Sequence, residues 1–146
     1  MQALSAALYA AMAGDATLKA NLGAFKGAPS IFVKRPVPSD AKRPIALAAT
    51  VVADVNEDFL VAQGRAITRD VAVYGNANGG LLDGPSDFDR IVAAAERIRT
   101  LFHRQTIRVA GYHCLPIVAS GPIDAPADPQ EIGRIVTLTI RLRNVP

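Results

Sequence analysis

The chain has 146 residues, of which half are hydrophobic, with one cysteine and a formal net charge of +3. This length predicts a single domain, residues 1–146, with enough apolar side chains for a sizeable core. A single cysteine excludes a disulfide framework and a cysteine-based metal site within the chain. The positive charges are dispersed rather than clustered, so the composition does not indicate a dedicated nucleic-acid surface.

The N-terminal segment predicts two short helices. Leu4, Leu8 and Met12 recur at helical spacing, and Gly14 follows them as a stop. Asp15 is placed to cap a second helical turn over residues 16–22. The segment lacks the basic start of a secretory signal, and the chain has no run of about 18 apolar residues. We therefore predict no membrane span.

Three strands are predicted in the next part of the chain. Residues 30–34 form a short strand, and a proline-rich loop follows at 35–44. Residues 45–53 are almost continuously apolar, which predicts a central strand that is covered on both faces. Residues 54–58 are interpreted as an acidic loop. Residues 64–74 alternate between apolar and polar side chains, as expected for a long strand.

The strongest helical signal lies between Ser86 and His103. Ser86 and Asp89 form an imperfect capping box, and His103 is placed as a cation near the C-terminus. An apolar stripe with a period of about 3.6 residues predicts that this helix packs on a sheet. The stripe consists of Phe88, Ile91, Val92, Ala95, Ile98 and Phe102.

The C-terminal part predicts a hairpin and one long strand. The hairpin arms are residues 106–110 and 113–120, with Pro116 marking an edge or a bulge, and a loop follows at 121–129. Residues 132–143 show the clearest period-two alternation in the chain. The predicted fold class is α+β: a mostly antiparallel sheet with one long helix packed on it and a short N-terminal helix.

The sequence contains no constellation that predicts a cofactor or a metal. The glycine-rich segment Gly75–Gly84 lacks the spacing of a phosphate-binding loop, and acidic residues follow it. The two histidines lack zinc-ligand spacing. Cys114 lies in a strand-like context and is interpreted as a small buried hydrophobic residue.

Charged residues give the candidate interface. Arg141 and Arg143 alternate with Leu142, which places both guanidinium groups on the face away from the core. They form either a solvated sheet face or an interface that pairs with acids of another chain. Loops 54–63 and 122–131 would supply those acids, namely Asp54, Glu57, Asp58, Asp124 and Asp128.

Several segments combine into a pattern that covers nearly the whole chain. They are Leu4-Ser5-Ala6-Ala7-Leu8, Asp15-Ala16-Thr17-Leu18, Ile31-Phe32-Val33 with the loop up to Ile45 (Pro38-Ser39-Asp40-Ala41-Lys42-Arg43-Pro44-Ile45 being the most characteristic part), Arg69-Asp70-Val71-Ala72-Val73-Tyr74, the Phe88–Phe102 helix and the strand Arg134–Arg143. This pattern resembles the tail-terminator (tail-completion) family of long-tailed bacteriophages and of related particles such as gene transfer agents.

The resemblance implies a structural protein of a virion, without a catalytic residue or cofactor. Members of the family form a ring, usually of six subunits, that ends polymerisation of the tail tube. The ring contacts the tail tube protein and the head-completion (stopper) protein, and DNA passes transiently through its lumen without being read. Such a ring is a closed heterologous assembly that uses two different faces of each subunit. Its place would be the tail or neck of the particle, assembled in the bacterial cytoplasm.

Two other functions stay open. The first is another neck component, such as a head-completion or connector protein. The second is a small ligand-binding or enzymatic α+β domain that uses the Gly75–Gly84 loop. The mass of the chain in solution distinguishes the ring-forming functions from the second alternative.

Overall fold

The computed structural model describes residues 2–58, 63–76, 87–125 and 131–145. Its elements in chain order are α1 (Gln2–Ala13), α2 (Ala16–Ala20), β1 (Ala24–Phe25), β2 (Ala28–Pro29), β3 (Ile31–Phe32), β4 (Ile45–Asn56), β5 (Gly64–Asn76), α3 (Phe88–Phe102), β6 (Tyr112–Cys114), β7 (Val118–Asp124) and β8 (Glu131–Asn144). A mixed α and β fold was predicted, and at this level the prediction is confirmed.

One six-stranded sheet organises the described part of the chain. Its order is β3-β4-β5-β8-β6, and β7 pairs with β8 beside β6. Only the β3–β4 pairing is parallel; the other strand pairs of this sheet are antiparallel. The centre is formed by β5 and β8, which stay in register from Gly64↔Arg143 to Asn76↔Glu131. Their period-two alternation puts one apolar row on the same face along the whole pair.

The hydrophobic core lies between this apolar row and α3. The inward-facing side chains of β8 are fully buried, and they are Val136, Leu138, Ile140 and Leu142. α3 packs across β5, β7 and β8. α1 adds Leu4, Leu8 and Met12 to the same cluster. At roughly 1.5–3 kcal/mol for each large side chain, this burial is the main term that favours folding.

The apolar stripe of α3 differs from the prediction at its first turn. Ile91, Ala95, Ile98 and Phe102 are buried as predicted, and Ala94 is buried in addition. Val92 is only partly buried. The core assignment of Phe88 is wrong, because its side chain is 47% exposed and its ring centroid lies 5.9 Å from the Arg134 guanidinium. Phe88 is the first residue of the helix, where the sheet covers it least.

The end of α1 and the starts of α2 and α3 are set by residues next to each helix in the sequence. α1 ends at Ala13, directly before Gly14, and the Asp15 carboxylate accepts a hydrogen bond from the Leu18 N–H at 3.0 Å, as predicted. The N-cap of α3 is Asp87, whose carboxylate accepts the Asn76 N–H at 2.8 Å and so joins the helix to the end of β5. Ser86, the predicted capping residue, lies outside the described residues.

The predicted hairpin around Gly111 is wrong. Residues 106–110, its predicted first arm, form no strand. Its predicted second arm divides into β6, which pairs with Leu142–Asn144, and β7, which pairs with Arg134–Thr139, so both short strands bind β8 end to end. The fourteen residues of β8 offer a long row of backbone groups, and residues 115–117 carry the chain from one part of that row to the next. The predicted loop at 121–129 begins inside β7, and residues 126–130 lie outside the described part.

β4 is longer than predicted, and it is buried in its first part and exposed in its second part. Ile45–Ala48 is buried on both faces, as expected for a central strand, but Thr50–Asn56 is exposed. The predicted acidic loop at 54–58 is wrong for its first three residues, because pairing with β5 continues to Asn56↔Arg65. The antiparallel partner thus extends β4 beyond the part of the sheet that α3 and α1 cover.

Candidate subunit interface

Arg141 lies on the exposed sheet face as predicted, but its acidic partner belongs to the same chain. Its guanidinium forms a two-point ion pair with Glu57, with 2.9 Å between Nε and Oε2 and a second contact from Nη2. The hydrogen bonds from Arg141 lower the pKa of the Glu57 carboxyl, and Glu57 raises the pKa of the Arg141 guanidinium. This corrects the hypothesis that Arg141 needs an acid from another chain.

Asp54 is also engaged within the chain. Arg65 donates from Nε to Asp54 Oδ1 at 3.0 Å and makes a second contact from Nη2. The β4–β5 register places Arg65 opposite Asn56 and Asp54 opposite Ile67, so the ion pair is a diagonal cross-strand pair. Asp54 first, and the Tyr112 hydroxyl second, raise the pKa of the Arg65 guanidinium.

A third predicted acid, Asp124, pairs with Arg134 directly across the β7–β8 ladder, with 2.8 Å between Oδ1 and Nη1. The Asp124 side chain is highly exposed, so this ion pair adds little to stability. Asp58 and Arg143 form no ion pair with a described residue. Asp128 lies outside the described residues.

The cleft beside the Asp54–Arg65 pair is open and polar. It encloses about 450 Å³ at the end of the sheet, between Asn56 of β4, Tyr112 of β6 and Asn144 of β8. No group of three or more His, Cys, Asp or Glu side chains that could hold a metal occurs among the described residues.

The glycine-rich segment begins with a packing role. Gly75 and Asn76 belong to β5, and the remainder of Gly75–Gly84 lies outside the described residues. A Cβ atom on Gly75 would lie 2.6 Å from Ile91 Cδ1 and 2.9 Å from Asp87 Cβ. The absence of a side chain therefore allows the start of α3 to approach β5 closely.

The potentially reactive side chains have structural surroundings. His103 is the C-cap of α3, and its Nδ1 accepts the Ala119 N–H at 3.1 Å. Cys114 is buried as predicted, and burial raises the pKa of its thiol. A thiol in such surroundings is a poor nucleophile.

The feature that sequence reasoning missed is a group of exposed valines on β4. Val51, Val52 and Val55 all lie on the part of the strand that the core does not cover. The apolar run that contains Val51 and Val52 was interpreted as the sign of a covered strand, and Val55 was assigned to the acidic loop.

Similarity to known proteins is found in the fold and not in the sequence. No family model matches the chain, and no curated protein matches it. The fold is similar to that of a chain in a solved structure described as the virion of a native gene transfer agent (GTA) particle. The TM-score is 0.70 at 17% sequence identity, and the match covers 98% of this chain and 95% of that chain. At this identity the likeness shows a common fold over nearly the full length of both chains.

None of the described helices is long and apolar enough to span a membrane.

Proposed function

We propose that this chain is a structural subunit of a tailed phage-like particle. In finer detail, we infer that it is a tail terminator: six copies form a ring that ends polymerisation of the tail tube and joins the tube protein to the head-completion protein. The observation that carries the proposal is the fold shared, over 98% of the chain, with a chain of a gene transfer agent virion. The order of segments in the sequence, which resembles the tail-terminator family, supports the finer assignment.

The surface of the chain is compatible with a ring subunit. A closed ring requires two different contact faces on each subunit, because each copy binds one neighbour on each side. The sheet ends in different strands on its two sides, β4 with β3 on one and β6 with β7 on the other. Exposed apolar residues occur on both sides, for example Val52 and Ile123.

We further propose that the chain is not an enzyme and needs no cofactor. The described lining of the polar cleft contains two carboxylates; Asp54 is engaged by Arg65, and no histidine, cysteine or lysine of that lining accompanies Asp58 as a second acid or base. The net charge of +3 is dispersed along the chain, which suits the transient passage of DNA through a ring without base-specific contacts.

The length of the tails in particles made without this chain tests the proposal. Loss of a tail terminator is expected to give overlong tails and heads without tails, because nothing stops the addition of tube subunits. Tails of normal length that do not join heads would instead indicate another neck component. Unchanged, infectious or DNA-transferring particles would contradict a structural role.

A further inference from the structure

The end of β4 has an open strand edge. Residues 53–57, the last part of β4 and the residue after it, are called the edge segment below. β3 pairs with β4 only at Ala46 and Leu47, well before this segment. Within the described residues, no strand binds the side of the edge segment that faces away from β5. An open row of backbone N–H and C=O groups is a template for pairing with another strand.

One backbone hydrogen bond identifies the free groups of the edge segment. The Glu57 N–H donates to the Gly64 carbonyl of β5 at 2.9 Å. In an antiparallel ladder every second residue of a strand bonds the same neighbouring strand. The residues that direct their backbone groups outward are therefore Asp54 and Asn56. The last register shift of β4 lies before Ala53, so the edge segment is regular.

The edge segment lacks the residues that usually prevent strand addition. Proteins protect open edges with proline or with charged residues, above all lysine. Residues 45–58 contain no proline, lysine or arginine. Asp54 and Glu57 are each held in an ion pair by an arginine of the same chain. The Val55 side chain, at the centre of the segment, is 58% exposed.

Antiparallel pairing with a second copy has one register that suits the edge segment. With Val55 opposite Val55 of the second copy, Asp54 of each copy lies opposite Asn56 of the other. These outward residues then exchange backbone hydrogen bonds, and the Asn56 carboxamide lies beside the Asp54 carboxylate. The neighbouring registers are unfavourable because they place two carboxylates opposite each other. Asp54 would face Asp54 in a pairing centred on Asp54, and it would face Asp58 in a pairing centred on Asn56.

The charges along β4 favour the same antiparallel orientation. Residues 45–58 contain three acids and no base, whereas residues 33–43, which follow β3 and precede β4, contain four bases and one acid. α1, the helix that contacts β4, contains no charged residue. The charges that form no ion pair with a described residue include Lys34, Arg35 and Asp58. Antiparallel pairing directs the acidic end of each copy toward the basic segment of the other.

We propose that two copies of the free chain pair through their edge segments about a two-fold axis, so that their sheets form one continuous sheet. The inference goes beyond the proposed ring, because a contact that uses the same surface twice closes at two copies. It concerns the chain before it assembles on a tail, and the ring requires other surfaces. Backbone hydrogen bonds supply most of the affinity. Five residues from each copy are fewer than the roughly 20–30 of a standard interface, so the dimer is expected to be weak.

Oxidative crosslinking of a Val55→Cys chain traps a weak contact of this kind. In the proposed register the two Cα atoms at position 55 form a non-hydrogen-bonded pair about 4.5 Å apart, which is close enough for a disulfide. The native Cys114 is buried and does not compete. We expect a covalent dimer of about 31 kDa, twice the 15.4 kDa of one copy.

Val52→Cys is the matched control for the register. Val52 lies on the same strand and is 57% exposed, close to the 58% of Val55. In the proposed register Val52 lies opposite Asp58, so the two cysteines at position 52 are about 20 Å apart, six residues along the strands. This variant is therefore expected to stay monomeric under the same oxidation.

A proline at position 56 tests the backbone contact without a new charge. The Asn56 N–H points away from β5, so Asn56→Pro removes a donor of the proposed contact and no bond of the β4–β5 ladder. Added to Val55→Cys, it should leave the thermal midpoint nearly unchanged. The dimer loses one donor from each copy, so the yield of covalent dimer should fall about tenfold.

The outcomes separate this contact from the proposed ring. Equal crosslinking of Val55→Cys and Val52→Cys, or no covalent dimer from Val55→Cys, would overturn the contact and leave the ring in place. A chain that forms the Val55→Cys dimer but never assembles further on tail tubes would support the contact and contradict the proposed function.

Discussion

The pair Asp15 and Arg97 joins the N-terminal helices to α3, and its energy can be worked out from the structure. The Asp15 carboxylate caps α2 by accepting the Leu18 N–H. Arg97 donates to both oxygens of the same Asp15 carboxylate, each at 2.8 Å. The Asp15 side chain is 12% exposed and the Arg97 side chain 34% exposed. We predict that Asp15→Ala removes both interactions, whereas Asp15→Asn removes the ion pair and keeps an oxygen for the cap.

The expected magnitudes differ between these two variants. An N-cap contributes about 1 kcal/mol to the free energy of unfolding. A two-point Arg–carboxylate pair that is partly screened by solvent contributes about 1 kcal/mol more. Asp15→Ala should therefore lower the free energy of unfolding by about 2 kcal/mol, and Asp15→Asn should lower it by about 1 kcal/mol. For a chain of this size, the thermal midpoint should fall by about 3 °C for each kcal/mol.

The same pair predicts a pH dependence with a defined sign. The hydrogen bonds from Arg97 lower the pKa of Asp15 below its ordinary value of 3.8. A carboxyl whose pKa is lower in the folded state stabilises the fold above its unfolded pKa and loses that contribution as the pH falls through the folded pKa. The stability difference between wild type and Asp15→Asn should thus be constant near neutral pH and shrink below about pH 4.

Urea unfolding at one fixed protein concentration measures these differences. A double-mutant cycle with Asp15→Asn and Arg97→Met isolates the coupling between the two side chains. A coupling below about 0.3 kcal/mol, or a wild-type advantage that persists unchanged at pH 2, would refute the assigned role of the ion pair.

Three further substitutions or reactions probe the core. Ile98→Asp places an unpaired charge at a fully buried position and should prevent folding. The control Thr100→Asp, on the exposed side of α3, should fold normally. A soluble Ile98→Asp chain with an unchanged melting curve would refute the packing of this helix on the sheet. Arg69→Met removes hydrogen bonds to the Ala48 carbonyl and Ser5 Oγ and should cost about 1–3 kcal/mol by urea unfolding. A more stable Arg69→Met chain would mean that desolvation of this buried cation outweighs its bonds. Cys114 should react with a thiol reagent at pH 8 only after unfolding, because burial raises its pKa; rapid labelling of the folded chain would contradict its position.

The parts of the fold that depend on local periodicity were predictable. The alternation in β8 predicted its buried face correctly, because a strand with one covered face needs an apolar residue at every second position. The stripe of α3 did the same for Ile91, Ala95, Ile98 and Phe102. The cap at Asp15 followed from the residue type and its position before a helical turn.

The pairing of strands was not predictable in the same way. A glycine between two apolar segments favours a hairpin locally, but residues 106–110 form no strand, and β6 and β7 both pair with the long strand β8. The extension of β4 to Asn56 depends on Arg65 and its neighbours in β5, which are distant in sequence. Phe88 was misplaced because periodicity shows which side of a helix is apolar and not how far the sheet extends beneath it.

The candidate interface shows the same limit. The sequence indicated which charged residues face solvent but not which of them pair with each other. Arg141 and Glu57 are 84 residues apart, and only the antiparallel path of β4, β5 and β8 brings them together. The exposure of Val51 and Val52 on β4 was not predicted either, because an apolar run is expected to be covered.

The mass of the native assembly formed by the purified chain tests the central claim most directly. One copy has a mass of 15.4 kDa, so a ring of six predicts a species of about 92 kDa with six-fold symmetry in electron-microscopic averages. A chain that remains a 15.4 kDa monomer at all accessible concentrations, also in the presence of tail tubes, would contradict the proposed function.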